Sequence, residues 1–344
     1  MSGDHQTVFL TGFPHAIVRR VAGLLIQNKS TRIRLLVSWE HRKEAEEFAQ
    51  KQDGGIEIIE GAATRIDFGL SGRDYLALAD EVTAIVHLDS PDPPGIHTHS
   101  PPRARIMARE VVELGLAAKQ LKRIVVLSHL DVAGNATGLF AERDLDIGQG
   151  FNSHAAEDRF RCERVLRRFM DKLPITVTRA GWIVGDELGL CPLVQLLLTV
   201  DDPSSLPFKD PKSKLHAIDI ETLSSILANL ALLDPTNDVQ TLHVAFASMP
   251  TLLDLVETAA TVARDLTPVG FDFVRGARRA LRRAEPGERW SAREFFKKQP
   301  YRMRLSTALS ERFLKERGLV LPSLDDETMK RLTSRAVEKV VGFR

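Results

Sequence analysis

TVFLTGFPHAIVRRVAGLL, residues 7–25, contains two hydrophobic periods in succession. Residues 7–10 form a short apolar run entering Thr11, Gly12, Phe13 and Pro14; Ile17, Val21, Leu24 and Leu25 then recur at the spacing of one helix face. The pattern predicts strand, tight turn, helix. It repeats outward along the chain. A strand at 33–37 precedes a charged amphipathic segment at 42–51, and a strand at 56–59 ends at Glu60 and Gly61, with helix around 75–79. The strand at 84–88 runs into a loop at 90–102 whose prolines exclude regular structure. Helix 105–120 leads to strand 123–128, and helix 154–170 to strand 175–178. Six buried strands alternating with helices predict an α/β fold, a parallel sheet covered on both faces. Right-handed crossovers make it doubly wound, with its ligand crevice at the carboxyl ends of the strands.

Past Gly189 the alternation stops: irregular chain, helix 219–233, a strand near 242–245 and helix 251–265. This divides the chain into a sheet domain at 1–187 and a smaller, mostly helical substrate cap at 188–344, with segments near 215–245 returning to the sheet. Residues 271–304 are basic, with Phe273, Trp290, Phe295, Phe296 and Tyr301 interleaved, a composition that can serve single-stranded nucleic acid. Asp272, Glu285, Glu288 and Glu294 dilute the charge, so solvated helices with buried aromatics are expected and no nucleic acid.

Across 344 residues, 43% hydrophobic and 27% charged content describe a globular chain, and the formal charge of +1 steers it toward neither nucleic acid nor an anionic membrane. Cys162 and Cys191 are too few for a disulfide framework, which fits a reducing, cytoplasmic compartment. The opening MSGDHQ has no basic stretch followed by a long apolar one, so export is not expected. Residues 188–200 are apolar but include Pro192 and Gln195 and fall short of the ~20 residues of a membrane span, so they read as core. His97 and His99 form an HxH pair without a third ligand nearby, and no metal is expected.

VFLTGFP at the first turn, IEIIEGAATRIDFGLS after the third strand, VTAIVHLDS at the fourth, LKRIVVLSHLDVAG at the fifth and ITVTRAGWIVGD at the sixth stand in order over about half the chain. In that series the chain resembles the extended short-chain dehydrogenase/reductase family, closest to its fatty acyl-CoA and thioester reductase branch. The resemblance implies a Rossmann fold binding NAD or NADP. HAIDIETLSSIL and LHVAFASMPTLLDLVE continue it more loosely.

The family's T-G-x-x-G-x-x-G turn corresponds here to Thr11, Gly12, Phe13, Pro14, His15, Ala16, Ile17 and Val18, so only its first glycine is present. Glycines let the backbone approach a pyrophosphate at a helix N-terminus. His15 and Val18 in their places imply an altered or blocked pocket, in which a charged His15 would be an alternative phosphate ligand. The acid that would take the ribose 2′-OH after the second strand is replaced by Ser38 and Trp39, with His41, Arg42 and Lys43 beyond, which leans toward NADP. Ala62 stands where the family's E-G-D aspartate meets adenine, and Leu88 ends the fourth strand beside the cofactor.

The family's reaction uses a tyrosine acid/base, a lysine four residues later that tunes it, a serine or threonine at the substrate carbonyl and an asparagine in a proton relay. The helix GQGFNSHAAEDRFRCERVLRR places Ala155 at the tyrosine and Arg159 at the lysine. His129 falls at the serine or threonine and Met107 at the asparagine. Alanine has no proton to give, and a guanidinium stays charged too tightly to act as a tunable acid. Shifting the helix by one residue offers His154 or Ala156 and restores no phenol.

Two readings follow. In the first, the chain is a non-catalytic binding or regulatory protein that keeps the scaffold for a small-molecule ligand or protein partner. In the second, it is an NAD(P)H-dependent reductase of acyl thioester, aldehyde or ketone substrates with a rewired site, in which His129 or His154 works beside Asp131, Glu157 and Asp158. The proline-rich loop and Arg278, Arg279, Arg282 and Arg283 are the expected partner surfaces. The resemblance also implies a homodimer built from helices 105–120 and 154–170.

Overall fold

Strand β1 (Gln6–Thr11) is buried along almost its whole length, with Val8 and Leu10 facing one side and Phe9 the other, so it needs cover on both faces. A computed structural model supplies that cover. It describes residues 5–52, 54–88, 103–151, 154–185, 214, 216–234, 240–249, 251–266 and 303–342. The proline-rich loop with His97 and His99, the apolar stretch at 188–200 and most of the basic segment at 271–304 lie outside these residues.

In chain order β1 is followed by α1 (Ala16–Leu25), β2 (Thr31–Val37), α2 (Arg42–Gln50), β3 (Ile56–Glu60), α3 (Gly72–Glu81) and β4 (Ala84–His87). Then come α4 (Arg103–Ala117), β5 (Arg123–His129), β6 (Gly138–Phe140), α5 (His154–Arg167), β7 (Ile175–Ala180) and β8 (Trp182–Val184). The chain continues through β9 (Ala217–Asp219), α6 (Ile220–Leu232), β10 (Thr241–Val244), α7 (Leu252–Leu266), β11 (Met303–Leu305), α8 (Ala308–Lys315) and α9 (Asp326–Gly342).

Seven parallel strands form the main sheet in the order β10-β7-β5-β4-β1-β2-β3. The order reverses between β1 and β4, where Thr11 pairs with His87, so the crevice of a doubly wound sheet opens there. One face packs on α1 and α6 through Val18, Val21, Leu223 and Leu227. The other packs on α3, α4 and α5 through Leu78, Val111, Leu114 and Leu166. Phe313, Leu314, Leu321 and Met329 extend the first core into the C-terminal chain, and α7 packs on α9.

The seventh strand is β10, which the sequence places in the returning segment. Two further parallel pairs, β8 with β9 and β6 with β11, join distant parts of the chain. β5 and β7 run past their apolar stretches, to His129 and Ala180. Arg179, inside that extension, is fully buried. Its Nη2 and Nε donate to Glu163 Oε2 at 2.7 and 2.9 Å, and Ser128 Oγ donates to Glu163 Oε1 at 2.5 Å. Arg179 Nη1 lies 3.0 Å from His243 Nε2, and His243 Nδ1 lies 2.8 Å from the Ser306 carbonyl. Donation from Nδ1 to that carbonyl leaves Nε2 as the acceptor, so one neutral tautomer satisfies both bonds. Ser310 Oγ accepts from the His243 N–H at 2.8 Å, while Glu142 accepts from the Leu309 and Ser310 N–H groups at 2.9 and 3.1 Å.

Breaking this arrangement from one side leaves a buried charge uncompensated. Arg179→Met is expected to lower unfolding free energy in urea by about 3–5 kcal/mol. Arg179→Met combined with Glu163→Leu should cost less than the sum of the single changes; strict additivity would show that the two groups do not depend on each other.

Candidate functional site

At the first turn Gly12 adopts φ +106°, a backbone that L side chains rarely take. Residues 13–15 follow with a cis Phe13-Pro14 peptide, and His15 forms the N-cap of α1 without a side-chain cap bond. The His15 side chain is exposed, whereas Val18 is fully buried among the residues of the α1 core. Phe13 packs against Phe48 of α2 with ring centroids 6.0 Å apart, and the Arg19 guanidinium lies 4.4 Å over the Phe13 ring. Arg19 also donates to the Pro14 carbonyl at 3.2 Å and to Glu44 at 2.5 Å, tying the turn to α2. The first turn of α1 carries no acidic residue, which leaves its N-terminal partial positive charge available to a phosphate.

At the end of β2, Ser38 precedes a single tight turn, Trp39–His41, and Trp39 is 70% exposed. Arg42, expected at a 2′-phosphate, donates instead to Glu60 at 2.8 Å and Glu46 at 2.9 Å, and these bonds raise its pKa. Beyond β3, Gly61 has no room for a side chain, since a Cβ would come within 2.4 Å of the Phe68 carbonyl oxygen. The Ala62 N–H donates to that same carbonyl at 2.8 Å. Asp67 and Phe68 are both left-handed, at φ +51° and +57°. Phe68, fully buried, meets Phe9 edge-on, and the Asp67 N–H donates to Glu110 of α4 at 2.8 Å. Burial raises the pKa of Glu110 against the pull of that bond. Leu88 is fully buried just past β4.

The four positions of the family's reaction divide. His129, at the end of β5, and Arg159, on α5, are both buried, and Arg159 forms an ion pair with Asp131 just past β5. Burial and the Arg159 charge lower the His129 pKa well below its ordinary value, and burial raises that of Asp131 despite the same guanidinium. Ala155 is half-buried one turn before Arg159 on α5, and the neighbouring His154 is exposed. Met107 is buried in the apolar core between α4 and the sheet. The structure therefore brings His129, Asp131 and Arg159 together, with His129 and Arg159 buried and Asp131 partly open to solvent.

One polar crevice residue went unread in the sequence. His87 is buried at the end of β4, and its Nδ1 shares a 2.8 Å hydrogen bond with Thr11 Oγ1 at the switch point of the sheet. A polar residue in the last position of an otherwise apolar buried strand was the available signal. Cys162 is buried, and burial pushes its thiol up, out of nucleophilic range. Among the described residues no three His, Cys, Asp or Glu side chains gather as a metal site, and no helix is long and apolar enough to cross a membrane.

No protein-family model and no curated protein matches this chain. Solved structures do. The terminal R domain of the myxalamid PKS-NRPS biosynthetic pathway shares 16% identity at a TM-score of 0.71, covering 100% of this chain and 93% of its own. The reductase domain of a nonribosomal peptide synthetase from Mycobacterium tuberculosis shares 17% at 0.68, covering 99% and 93%. Yeast methylglyoxal/isovaleraldehyde reductase Gre2, complexed with NADPH, shares 14% at 0.63, covering 98% and 100%. The fold, a Rossmann-like α/β sheet, is shared along the whole chain with these reductase structures.

His129, His216 and His243 all have lowered pKa values, chiefly through burial, to about 4 for His216 and about 3 for His243. Each is neutral in the folded chain and takes a proton on unfolding below an unfolded value near 6.5. Their contribution to stability is complete above that pH and is lost as pH falls toward the folded values. Each adds a slope of about 1.4 kcal/mol per pH unit in that window, offset in part by Asp131 and Glu110, whose raised values act oppositely. In urea melts between pH 6 and 4.5, His243→Asn should flatten the stability profile by about one proton; an unchanged slope would mean that His243 is charged in the fold.

Proposed function

We propose that the chain binds a reduced nicotinamide dinucleotide across the crevice between β1 and β4 and reduces a carbonyl of the acyl thioester, aldehyde or ketone kind. The observation that carries this reading is the dry cluster of His129 and Arg159, placed by β5 and α5 on the carboxyl side of a sheet whose whole-length neighbours include reductases. The turn fits the cofactor: Gly12 keeps the required backbone, His15 stands exposed, and α1 offers an uncompensated N-terminus. Gly12 and His15 would hold the pyrophosphate, and Ser38 the ribose.

The dinucleotide would supply the hydride. As the carbonyl gains negative charge, the buried Arg159–Asp131 pair would present the edge of its guanidinium to the oxygen in a low-dielectric setting. His129, neutral, would offer an imidazole N–H to the same oxygen, and the alkoxide would take its final proton from solvent as the product leaves the buried centre. Such a centre works by electrostatic stabilisation rather than by a tuned phenol. Since Arg42 is engaged by Glu60 and Glu46, the end of β2 presents a neutralised cation to a 2′-phosphate.

A second reading, binding without turnover in a regulatory role, is favoured by Ala155 and Met107, neither of which has a proton to transfer. One set of titrations separates the two. NADH or NADPH at a hundred times its dissociation constant should raise unfolding free energy by about 2.7 kcal/mol, and oxidation of the bound cofactor by a long-chain aldehyde or acyl thioester should follow. His129→Ala should then lower kcat by roughly 100- to 1000-fold with cofactor affinity intact. Tight binding with no oxidation selects a dinucleotide-sensing role, and no binding of either dinucleotide removes the reductase and supports the non-catalytic reading with another ligand or a protein partner. Glu60→Gln should shift preference toward NADPH; an unmoved NADH-to-NADPH affinity ratio would show that Arg42 plays no part in that choice.

A further inference from the structure

Beyond β3 the chain makes a turn in a backbone conformation that L-residues disfavour: Asp67, Phe68 and Gly69 take φ of +51°, +57° and +75° in succession. Only the third is a glycine, so the other two are strained. Packing pins the middle of the turn. Phe68 is fully buried, edge-on to Phe9, and its carbonyl accepts from the Ala62 N–H at 2.8 Å. The Phe68 N–H donates to the Arg65 carbonyl at 3.0 Å, and the Leu70 N–H to the Asp67 carbonyl at 3.0 Å. The Asp67 N–H finds its partner on another element, Glu110 Oε2 of α4 at 2.8 Å.

Glu110 is poorly placed to be an anion. It is only 5% exposed, and the carboxylates of Asp67 on the turn and Glu113 on α4 both face it. On α3, burial and the same three acids push the Tyr75 phenol up to about 12. Two groups favour the charged form of Glu110: the Asp67 N–H itself, and Arg109 on α4. Arg109 is 73% exposed and lies 4.0 Å from Glu113, so water and that neighbour take most of its field. Burial and like charge therefore win, and the Glu110 pKa is raised. A neutral Glu110 still accepts from the Asp67 N–H through its carbonyl oxygen, whereas an ionised one is a desolvated charge held against Asp67.

We propose that Glu110 is a proton-controlled latch: as a neutral acid it holds the left-handed turn at 66–69 against α4, and on ionising it lets the turn go. Release relaxes two strained residues and hydrates a carboxylate, so both changes favour the open form once the proton has left. The closed turn binds the Glu110 proton more tightly than the open one does. Its hold is therefore complete below the ordinary carboxylate range and is lost as pH rises toward the raised value. Because the turn follows β3 on the carboxyl side of the sheet, the latch makes the shape of that side depend on pH. This device operates with or without a bound dinucleotide.

The test is amide hydrogen exchange at Asp67, followed by NMR in the unliganded full chain from about pH 4.5 to 8 and corrected for the intrinsic rate. Protection should fall by up to about tenfold per pH unit and then level off, while Val8 of β1, which opens only with the whole fold, shows no such fall. Glu110→Gln keeps an acceptor and cannot ionise, so its Asp67 protection should stay flat with pH. Asp67→Asn suits a left-handed backbone and removes one of the facing charges, so the fall should move to lower pH. Parent-chain protection that is independent of pH would overturn the latch, and so would an equal fall in Glu110→Gln. A fall matched at Val8 would assign the opening to global unfolding and overturn it as well.

Discussion

Arg179 carries a full positive charge with no exposure to water, and the middle of the molecule is organised around keeping that charge compensated. Glu163 comes from α5, Ser128 from β5 and His243 from β10, while the Phe140 ring of β6 lies 5.1 Å from the guanidinium. A buried charge pair forfeits hydration that only well-made partners can offset, so the arrangement exists only when all these elements are in register. His243 and Glu142 then carry the constraint onward to Ser306, Leu309 and Ser310. In this way α8 is fastened to the sheet by polar contacts between residues more than 60 and up to 168 positions apart. The C-terminal chain therefore shares its buried centre with the Rossmann sheet.

The same contacts reach the candidate site. Ser128 is the neighbour of His129 in β5, and Glu163 lies one helical turn beyond Arg159 in α5. The bond between Ser128 and Glu163 thus fixes the register of strand against helix that also sets His129 against Arg159. A site built on so tight a seam is dry. Dryness holds the histidine neutral and pushes the partner aspartate up, and it strengthens the field of a guanidinium that cannot be switched off.

Most of the main sheet was legible because strands buried on both faces of a parallel sheet read as continuous apolar runs. The errors lie where polar residues are buried. The apolar runs at 175–178 and 123–128 stop before Arg179 and His129, and no local pattern reveals that a distant carboxylate or helix will cover these two residues. The β6–β11 pair was invisible for a related reason: three-residue strands whose partners, Gly138 and Met303, lie far apart have no periodicity to detect. At the site, His129, Arg159, Ala155 and Met107 were found through the order of motifs. That Arg159 belongs to Asp131, and Arg42 to Glu60, follows only from the folded chain.

The missing glycines and the missing phenol differ in kind. Glycine serves the turn in two ways, by allowing a left-handed backbone and by leaving room for close approach. Only the first is beyond the reach of other residues, and it falls at Gly12, where glycine remains. Room can be remade by neighbours: the core around α1 takes in Val18 completely, and Phe13, Phe48 and Arg19 brace the turn from the side. A proton cannot be remade by packing. At Ala155 there is no group to carry one, and Arg159, one turn further along α5, is held in an ion pair with Asp131. The turn thus departs far from its glycine pattern and still ends at a helix N-terminus, whereas a centre of this kind would have only charge placement and hydrogen bonding to work with.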